Sequence, residues 1–390
     1  MNDLHVTPVS DALSGRKIDV VVTGSIAAVE SVRLIRSLRR LGADVTPWLS
    51  QGGSAFVTPM SVTWAAGKDA VTGFSGNASH ICLSDAVVVA PASASILAKI
   101  ARGMTDSHCT ALVASALGQK KPVIILPTMH DSLKEAPAIK EHIAKISTWD
   151  QVFFVAAREE EGKQKFPEPV VFADEVAHII NRPARPKDSI LVTMGTTRGY
   201  IDDVRYISNY SSGKLGTLIS EELYRKGFST TVVCGPCEHK PKVATQLNLI
   251  RTTREMLATA KEAEVSGLAG AVFCASVLDY EPSEKSMGKI KSGRQNLSVN
   301  FTPTPKIIGD VHLDHKPKIG FKLETGLSVD ELKLIANEYI AKYNLTMLIT
   351  NELSSVSESS HHAFAFTKDG SMTELKSKAD IARFIANAIA

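Results

Sequence analysis

A strand, a glycine turn, a helix, a second glycine and another strand follow one another twice in this chain of 390 residues. The first copy begins with the β-branched run 18–22, and the second begins at 190–193. Between them lies the segment NRPARPKD (181–188), whose prolines and charges suit neither a helix nor a sheet ladder. Because a helix that joins two strands places them in parallel, the sequence predicts an α/β fold of two tandem doubly wound domains with mainly parallel sheets.

The linker divides the chain into three expected parts. Residues 1–16 would form a polar N-terminal tail, residues 17–186 a first domain and residues 187–390 a second domain. Each domain has room for its own hydrophobic core, since soluble domains usually run to about 100–200 residues. Hydrophobic residues make up 44% of the chain and charged residues 22%, which excludes a disordered protein.

Charge and cysteine content limit the partners and the cellular compartment that we expect for this chain. The chain has 44 basic and 41 acidic residues and no basic block, so nucleic acid is not an expected partner. The N-terminus lacks the pattern of a signal peptide, and nowhere do 18 apolar residues follow one another, so we expect no membrane contact and a cytoplasmic location. Five scattered cysteines do not make a disulfide framework, which fits the same compartment.

The turn after the first strand, at 24–28, predicts a phosphate site. Backbone N–H groups and the positive end of a helix dipole favour an anion there, and Ser25 adds a hydroxyl. The three spaced glycines of a dinucleotide site are missing, so a mononucleotide is the better candidate. A tight turn with nothing bound is the alternative at this point.

Four further segments of the first half would be loops that follow successive strands: His80, 91–95, 103–106 and 127–130. In this order they resemble the flavin-dependent cysteine decarboxylases, specifically the phosphopantothenoylcysteine decarboxylase half of the bifunctional coenzyme A enzymes. The resemblance covers about residues 17–180 and implies a flavodoxin-like domain that binds FMN, with His80 as the catalytic base. It assigns the cofactor to Gly24, Ser25, Ser50, Ser93 and Ser95.

Two positions depart from that family. Where it has an asparagine that holds the substrate carboxylate, this chain has His130, which could bind a carboxylate as a cation. Where the family has a cysteine-bearing clamp, residues 157–163 contain no cysteine. The decarboxylase therefore either works with other groups or is degenerate.

The loop 203–216 is the most specific stretch of the chain. It is polar, contains glycine, and runs into a helix expected over 215–226, which suits a phosphate cradle. Its spacing is not that of the phosphate-loop hydrolases. The stretch resembles the phosphopantothenate–cysteine ligase signature, and the resemblance spans residues 188–352 and implies a Rossmann-like ligase domain. It continues through 274–280, 288–291, 304–308 and 320–325.

The ligase resemblance assigns roles residue by residue. Asn209 would hold the acyl-nucleotide intermediate, and Lys289 would neutralise the triphosphate of CTP, with Mg²⁺ as a further cofactor and the metal ligands unknown. Tyr339 and Tyr343 stand where the family has two lysines. The expected nucleotide pocket consists of Ala275, Asp279, Lys289, Pro305, Lys306, Ile307, Ile308 and Phe321.

A Cys234-Gly235-Pro236-Cys237 sequence precedes His239. The spacing fits a redox pair or half a zinc site, but no second pair follows, so a turn at a strand end is the expected explanation. His361 and His362, in a serine-rich loop, are expected to be exposed and without a role.

The resemblance as a whole predicts an enzyme of coenzyme A biosynthesis. It would join 4'-phosphopantothenate to cysteine at the expense of a nucleotide and then decarboxylate the product with FMN to 4'-phosphopantetheine. Two alternatives remain: a ligase with a degenerate flavin domain, and a flavoprotein that acts on another substrate. The family also implies a homo-oligomer, with trimers of the flavin domain and dimers of the ligase domain.

Overall fold

The structure is a computed structural model that describes residues 4–390 except 77, 79, 161–162, 186–187, 294–295 and 353–361. His361 and the predicted boundary between 186 and 187 therefore lie outside the described residues. The chain divides into two compact units, Met1–Ala184 and Arg185–Ala390.

The first unit contains a five-stranded sheet with helices on both faces. Its strands are β1 (Lys17–Val22), β2 (Asp44–Leu49), β3 (Ala86–Ala92), β4 (Val123–Pro127) and β5 (Val152–Phe154), and β6 (Arg158–Glu160) and β7 (Lys163–Lys165) form a separate hairpin. Its helices are α1 (Ser31–Arg40), α2 (Pro59–Ala66), α3 (Ala94–Arg102), α4 (His108–Gly118), α5 (Asp131–Lys134), α6 (Pro137–Ser147) and α7 (Pro169–Asn181).

The order of this sheet is β2-β1-β3-β4-β5, and all its neighbouring strands are parallel. Alternate residues of β1 enter two cores: Val20 packs with the cluster that contains α1 and α7, and Val21 packs with the one that contains α3 and α4. The strand order reverses between β1 and β3, which is where doubly wound sheets bind ligands. The segment 1–16, expected to form a polar tail, also packs against the core, since Leu13 is fully buried in the cluster around α1 and α7.

The second unit is built on an eight-stranded sheet of order β12-β11-β8-β13-β16-β17-β18-β19. Its strands, with two short hairpins, are β8 (Ser189–Met194), β9 (Arg198–Tyr200), β10 (Tyr206–Ser208), β11 (Ser229–Cys234), β12 (Gln246–Leu249), β13 (Gly270–Phe273), β14 (Tyr280–Pro282), β15 (Phe301–Pro303), β16 (Lys318–Glu324), β17 (Met347–Glu352), β18 (Ala363–Thr367) and β19 (Met372–Leu375). Its helices are α8 (Lys214–Arg225), α9 (Thr253–Val265), α10 (Ile307–Asp310), α11 (Val329–Tyr343) and α12 (Lys378–Ile389).

The sheet of the second unit is parallel from β12 to β17 and antiparallel over β18 and β19. Helices α8 and α12 cover one face, where Ile219 and Ile385 meet alternate residues of β8, and α9 covers the other face. The predicted α/β class with two mainly parallel sheets is confirmed. Within the described part of the chain, we find no helix with the length and apolar character needed to cross a bilayer.

Candidate active sites

Three loops meet at the carboxyl edge of the first sheet, at the switch point between β1 and β3. The hydroxyl of Thr23 donates to the carbonyl of Pro91 at 2.7 Å and accepts the backbone N–H of Ser93 at 3.0 Å. The N–H of Ser50, after β2, donates to the carbonyl of Val22 at 3.1 Å. These bonds fix the loops after β1, β2 and β3 relative to one another.

The five residues expected to bind the cofactor all lie along this edge. Ser25 accepts the N–H of Ala27 and begins a 3₁₀ helix (Ile26–Glu30), and Ser93 accepts the N–H of Ile96 and begins α3. The other three residues are Gly24 after β1, Ser50 after β2 and Ser95 at the start of α3. Gly24 packs so closely on Gly52 that a Cβ there would lie 3.2 Å from its backbone, Ser50 accepts the N–H of Gly53, and Ser95 is exposed on the first turn of α3.

A cavity of about 640 Å³ opens beside this edge, lined by Ser25, Arg33, Thr128, His130 and Arg158 among others. The hydroxyl of Thr128 is buried there and has no hydrogen-bond partner among the described residues. His130 begins α5, and its Nδ1 accepts the N–H of Ser132 at 3.2 Å. Since Nδ1 accepts, the neutral ring carries its proton on Nε2, which leaves one donor for a ligand.

His80 does not line this cavity. It is exposed in the segment before β3, and its ring centroid lies 6.5 Å from that of Phe74. Phe74 also contacts His108, which the sequence did not single out and which is buried against Trp48. Burial lowers the pKa of His108, and its Nε2–H donates to the carbonyl of Leu49 at 3.1 Å, so this histidine is part of the core.

A second cavity, of about 600 Å³, opens at the carboxyl edge of the sheet in the second unit. The turn before α8, the segment after β13, the segment that leads into α10, the end of β16 and helix α11 form its walls. All but one of the residues expected to form the nucleotide pocket line this cavity: Ala275, Asp279, Pro305, Lys306, Ile307, Ile308 and Phe321. The ammonium group of Lys306 pairs with the carboxylate of Asp279 on its wall.

The N-terminus of α8 opens into the same cavity. Gly213 precedes the helix with φ of 79°, and Gly213, Lys214, Leu215 and Gly216 line the space. Four N–H groups at a helix start have no partner within the helix, and the helix dipole adds positive potential. No acidic residue lies in the first turn of α8. This end of the cavity is therefore suited to a phosphate group.

Asn209 and Lys289, the other expected catalytic residues, lie outside the lining. The amide of Asn209 donates to the carbonyl of Val277 at 3.0 Å, which places it at the rim beside a residue that does line the cavity. Lys289 is exposed on a loop held by Asp202 and Asp203, whose carboxylates accept the N–H groups of its two neighbours at 3.1 and 2.9 Å. Desolvation disfavours the charged form of Asp202, but the hydrogen bonds that its carboxylate accepts from backbone N–H groups lower its pKa to about 2. The carboxylate that holds the loop is therefore ionised.

The structure adds polar residues that the sequence did not assign. Lys322, Asn351 and Lys378 line the cavity, together with Tyr339 and Tyr343, whose ring centroids are 5.5 Å apart. Asn351 lies at the carboxyl end of β17, and this strand-end position is a signal that the sequence could have supplied. Lys378 starts a helix far along the chain, and no local pattern marks it.

Each half of the chain matches a known protein family. Residues 186–390 match the family described as DNA/pantothenate metabolism flavoprotein C-terminal domain, and residues 6–181 match the family described as Flavoprotein. The crystal structure of the DNA/pantothenate metabolism flavoprotein from Streptococcus pneumoniae is 27% identical, with a TM-score of 0.48, and the match covers 52% of this chain and 98% of that one.

Two curated relatives match most of the chain. The coenzyme A biosynthesis bifunctional protein CoaBC of Thermococcus kodakarensis is 37% identical over 360 residues, which cover 88% of this chain and 87% of that protein. The protein of the same name from Methanocaldococcus jannaschii is 32% identical over 352 residues, which cover 88% and 85%. This chain therefore belongs to the family of coenzyme A biosynthesis bifunctional proteins.

Proposed function

We propose that the second unit joins 4'-phosphopantothenate to cysteine with the consumption of CTP, and that the first unit decarboxylates the product with FMN to 4'-phosphopantetheine. The observation that carries the ligase assignment is the cavity at the start of α8, where nearly all residues expected to form the nucleotide pocket meet an open helix N-terminus. Small-molecule substrates and a cytoplasmic location are part of this proposal.

The chemistry of ligation needs an activated carboxylate. A carboxylate oxygen attacks the α-phosphorus of the nucleotide, and pyrophosphate leaves; the amine of cysteine then attacks the acyl carbon, and the nucleoside monophosphate leaves. The N–H groups of the first turn of α8 would bind the phosphates, and Asn209 at the rim would donate to the acyl-nucleotide. Lys289 would have to approach from its exposed loop to contact the triphosphate.

Mg²⁺ would enter this site with the nucleotide. Among the described residues, we find no group of three or more acidic, histidine or cysteine side chains that could hold a metal ion. This agrees with the preference of Mg²⁺ for substrate phosphates, water and only one or two carboxylates. Asp279 and Glu238 are the carboxylates on the cavity lining, and either could supply such a ligand.

The first unit has groups that suit FMN. The hydroxyl groups of Ser25, Ser50 and Ser93 could bind the phosphate of FMN. The hydroxyl of Thr128, which has no hydrogen-bond partner among the described residues, could donate to the flavin ring or to the substrate. When bound there, FMN would supply a hydride acceptor for oxidation of the substrate carbon that bears the thiol. His130 would bind the substrate carboxylate through its Nε2–H. His80 is exposed and lies away from this cavity, so to transfer protons there it would have to enter the cavity of a neighbouring subunit in the trimer that the family implies.

One experiment separates the candidate functions. The purified protein with FMN is incubated with 4'-phosphopantothenate, cysteine, CTP and Mg²⁺, and the products are identified by mass spectrometry. We expect phosphopantetheine and pyrophosphate, and Asn209→Ala should abolish both. Accumulation of phosphopantothenoylcysteine would instead establish a ligase with an inactive flavin domain, which His130 and the absence of cysteine over 157–163 favour. No pyrophosphate with CTP or any other nucleoside triphosphate would contradict the ligase assignment.

A further inference from the structure

The two thiols of the Cys234-Gly235-Pro236-Cys237 segment lie next to each other. Cys234 is the last residue of β11 and is 1% exposed, whereas Cys237 is half-buried, and their Sγ atoms are 3.6 Å apart. The other thiols of the chain are less suited to reaction. Cys82 and Cys109 are fully buried, and desolvation raises the pKa of both Cys109 and Cys274 to about 12.

The backbone between the two thiols is held in place by its neighbours. The N–H of Gly235 donates to the carbonyl of Met194 at 2.9 Å, and both the N–H and the hydroxyl of Thr196 donate to the carbonyl of Pro236, at 3.2 and 2.9 Å. Gly235 fits so tightly that a Cβ would lie 1.7 Å from the carbonyl oxygen of Thr196. A disulfide, with S–S of about 2.05 Å, would bring the two Sγ atoms about 1.5 Å closer together, within a backbone that these contacts hold.

The two thiols differ in exposure. Cys234 is 1% exposed, whereas Cys237 is half-buried and can be reached by a small dissolved disulfide. The accessible thiol is therefore the attacking group in thiol–disulfide exchange, and its buried neighbour completes the exchange.

Cys237 also contacts the turn that begins α8. Its thiol donates to the carbonyl of His239 at 3.1 Å, and the N–H of His239 donates to the carbonyl of Ser212 at 2.9 Å. A Cβ on Gly213 would lie 2.8 Å from the Cys237 sulfur, so this sulfur packs directly on the turn. Ser212, Gly213 and His239 all line the cavity of the second unit.

We propose that Cys234 and Cys237 are a reversible oxidation site, whose disulfide loosens the turn at the start of α8. The oxidant is a low-molecular-weight disulfide, RSSR. The Cys237 thiolate attacks one sulfur of RSSR, a mixed disulfide forms and one RS⁻ leaves; the Cys234 thiol then loses its proton, attacks Sγ of Cys237 and releases the second RS⁻. The two protein thiols are oxidised by two electrons, and RSSR is reduced to two RSH.

Oxidation is coupled to the turn at the start of α8 because Sγ of Cys237 must move away from that turn to reach Cys234. As Sγ of Cys237 approaches Cys234, it gives up its hydrogen bond to His239 and its contact with Gly213. The segment 237–239 then loses one of the contacts that keep the N–H of His239 hydrogen-bonded to the carbonyl of Ser212. Oxidation should therefore weaken the structure that presents the N-terminus of α8 to a ligand.

The test has two arms, both on the full-length protein equilibrated with oxidised or reduced glutathione. After alkylation of free thiols and mass spectrometry, we expect a disulfide confined to the peptide with both cysteines, with Cys82 and Cys109 still free. In hydrogen exchange, the N–H groups of Thr217 and His239, which bond across this turn, should exchange at least threefold faster in the oxidised protein and recover after reduction.

Cys237→Ser is the matched control, since serine keeps a donor for the His239 carbonyl but cannot form the disulfide. Its exchange rates should be the same in both glutathione buffers. Thiols that remain free in oxidised glutathione, or that stop at the mixed disulfide, would overturn the oxidation site. A disulfide that forms without faster exchange at Thr217 and His239 would overturn the coupling. Neither arm depends on enzymatic activity, so the outcome is independent of the proposed function.

Discussion

Tyr339 places an uncharged aromatic ring on the wall of a cavity that is expected to bind a nucleotide. It lines the cavity of the second unit at a position where the ligase resemblance has a lysine, and the ammonium of Lys322 lies 5.5 Å from its ring centroid. A neutral phenol offers a flat apolar face and no positive charge for phosphates. We therefore expect Tyr339 to contact the base of the nucleotide rather than its triphosphate.

Substitution of Tyr339 tests this assignment. Tyr339→Ala should raise KM for CTP about 5- to 150-fold, the equivalent of about 1–3 kcal/mol of stacking on a base, whereas Tyr339→Phe should change it little. The measurement is pyrophosphate release at varied CTP. Leu334→Ala, on an exposed position of the same helix, is the control. Equal losses in the Phe and Ala variants would show that the hydroxyl, not the ring, is what matters.

His130 gives a second prediction for a single residue. Its Nε2–H is the donor left for a substrate carboxylate, and a hydrogen bond to a charged group contributes about 1.5–3 kcal/mol. His130→Ala should slow decarboxylation of phosphopantothenoylcysteine by about 10- to 150-fold.

The matched variant for that prediction is His130→Asn, which restores an amide donor and should retain most of the rate. The exposed His312→Ala should have no effect. If His130→Ala decarboxylates as fast as the unmodified protein, His130 does not bind the substrate, and the carboxylate must be held elsewhere.

Single elements show what the sequence could and could not predict. The helix expected over 215–226 is observed as Lys214–Arg225, and Gly227 follows it with φ of 89°, because its apolar periodicity and terminal glycine are local signals. The 3₁₀ helix at Ile26–Glu30 was not predicted. It separates β1 from α1, where the buried hydroxyl of Ser31 donates to the carbonyl of Ala90 at 3.0 Å, a contact between residues far apart in sequence.

The residues of the candidate sites likewise divide into those that local sequence signals predict and those whose positions depend on distant contacts. Ala275, which follows β13, and Phe321, which lies within β16, come together with their neighbours because the carboxyl ends of parallel strands share one edge. Asn209 and Lys289 are expected in the site of the second unit and His80 in that of the first, but the three lie at the rim of the cavities or outside them. Their positions depend on loops, whose conformation is set by distant partners such as Asp202.

Packing between α8 and β8 gives a prediction at the level of elements. A Cβ on Gly216 would lie 2.5 Å from the Cβ of Met194, so alanine at this position must push the helix away from the sheet. Overpacking costs about 1–3 kcal/mol, and the better helix propensity of alanine returns about 1 kcal/mol. We expect Gly216→Ala to lower the stability of the second unit by up to about 2 kcal/mol in urea denaturation.

Gly118→Ala is the matched control for that variant. Gly118 also lies in a helix, α4, but a Cβ there would meet no atom within 4 Å. Alanine at this position should leave stability unchanged or raise it by about 0.4–1 kcal/mol. Equal stability of the two variants would mean that α8 can shift without cost.

At the scale of the whole molecule, each unit has its own sheet with hydrophobic clusters on both faces. The clusters around Val20 and Val21 contain only residues of the first unit, and those around Val192 and Leu191 only residues of the second. Each cluster is closed by helices of its own unit. The folding of either unit therefore does not require apolar surface from the other.

This independence predicts the behaviour of a fragment. Residues 185–390, expressed alone, should unfold in a single cooperative transition, because units of this size bury most of the surface that their unfolded chains expose. All described residues that line the cavity at the start of α8 belong to this fragment, so the fragment should also release pyrophosphate from CTP with 4'-phosphopantothenate, and its Asn209→Ala variant should not. Circular dichroism and a pyrophosphate assay measure the two properties separately. A folded but inactive fragment would mean that the first unit is needed to complete the ligase site, whereas an unfolded one would mean that the two cores are not independent.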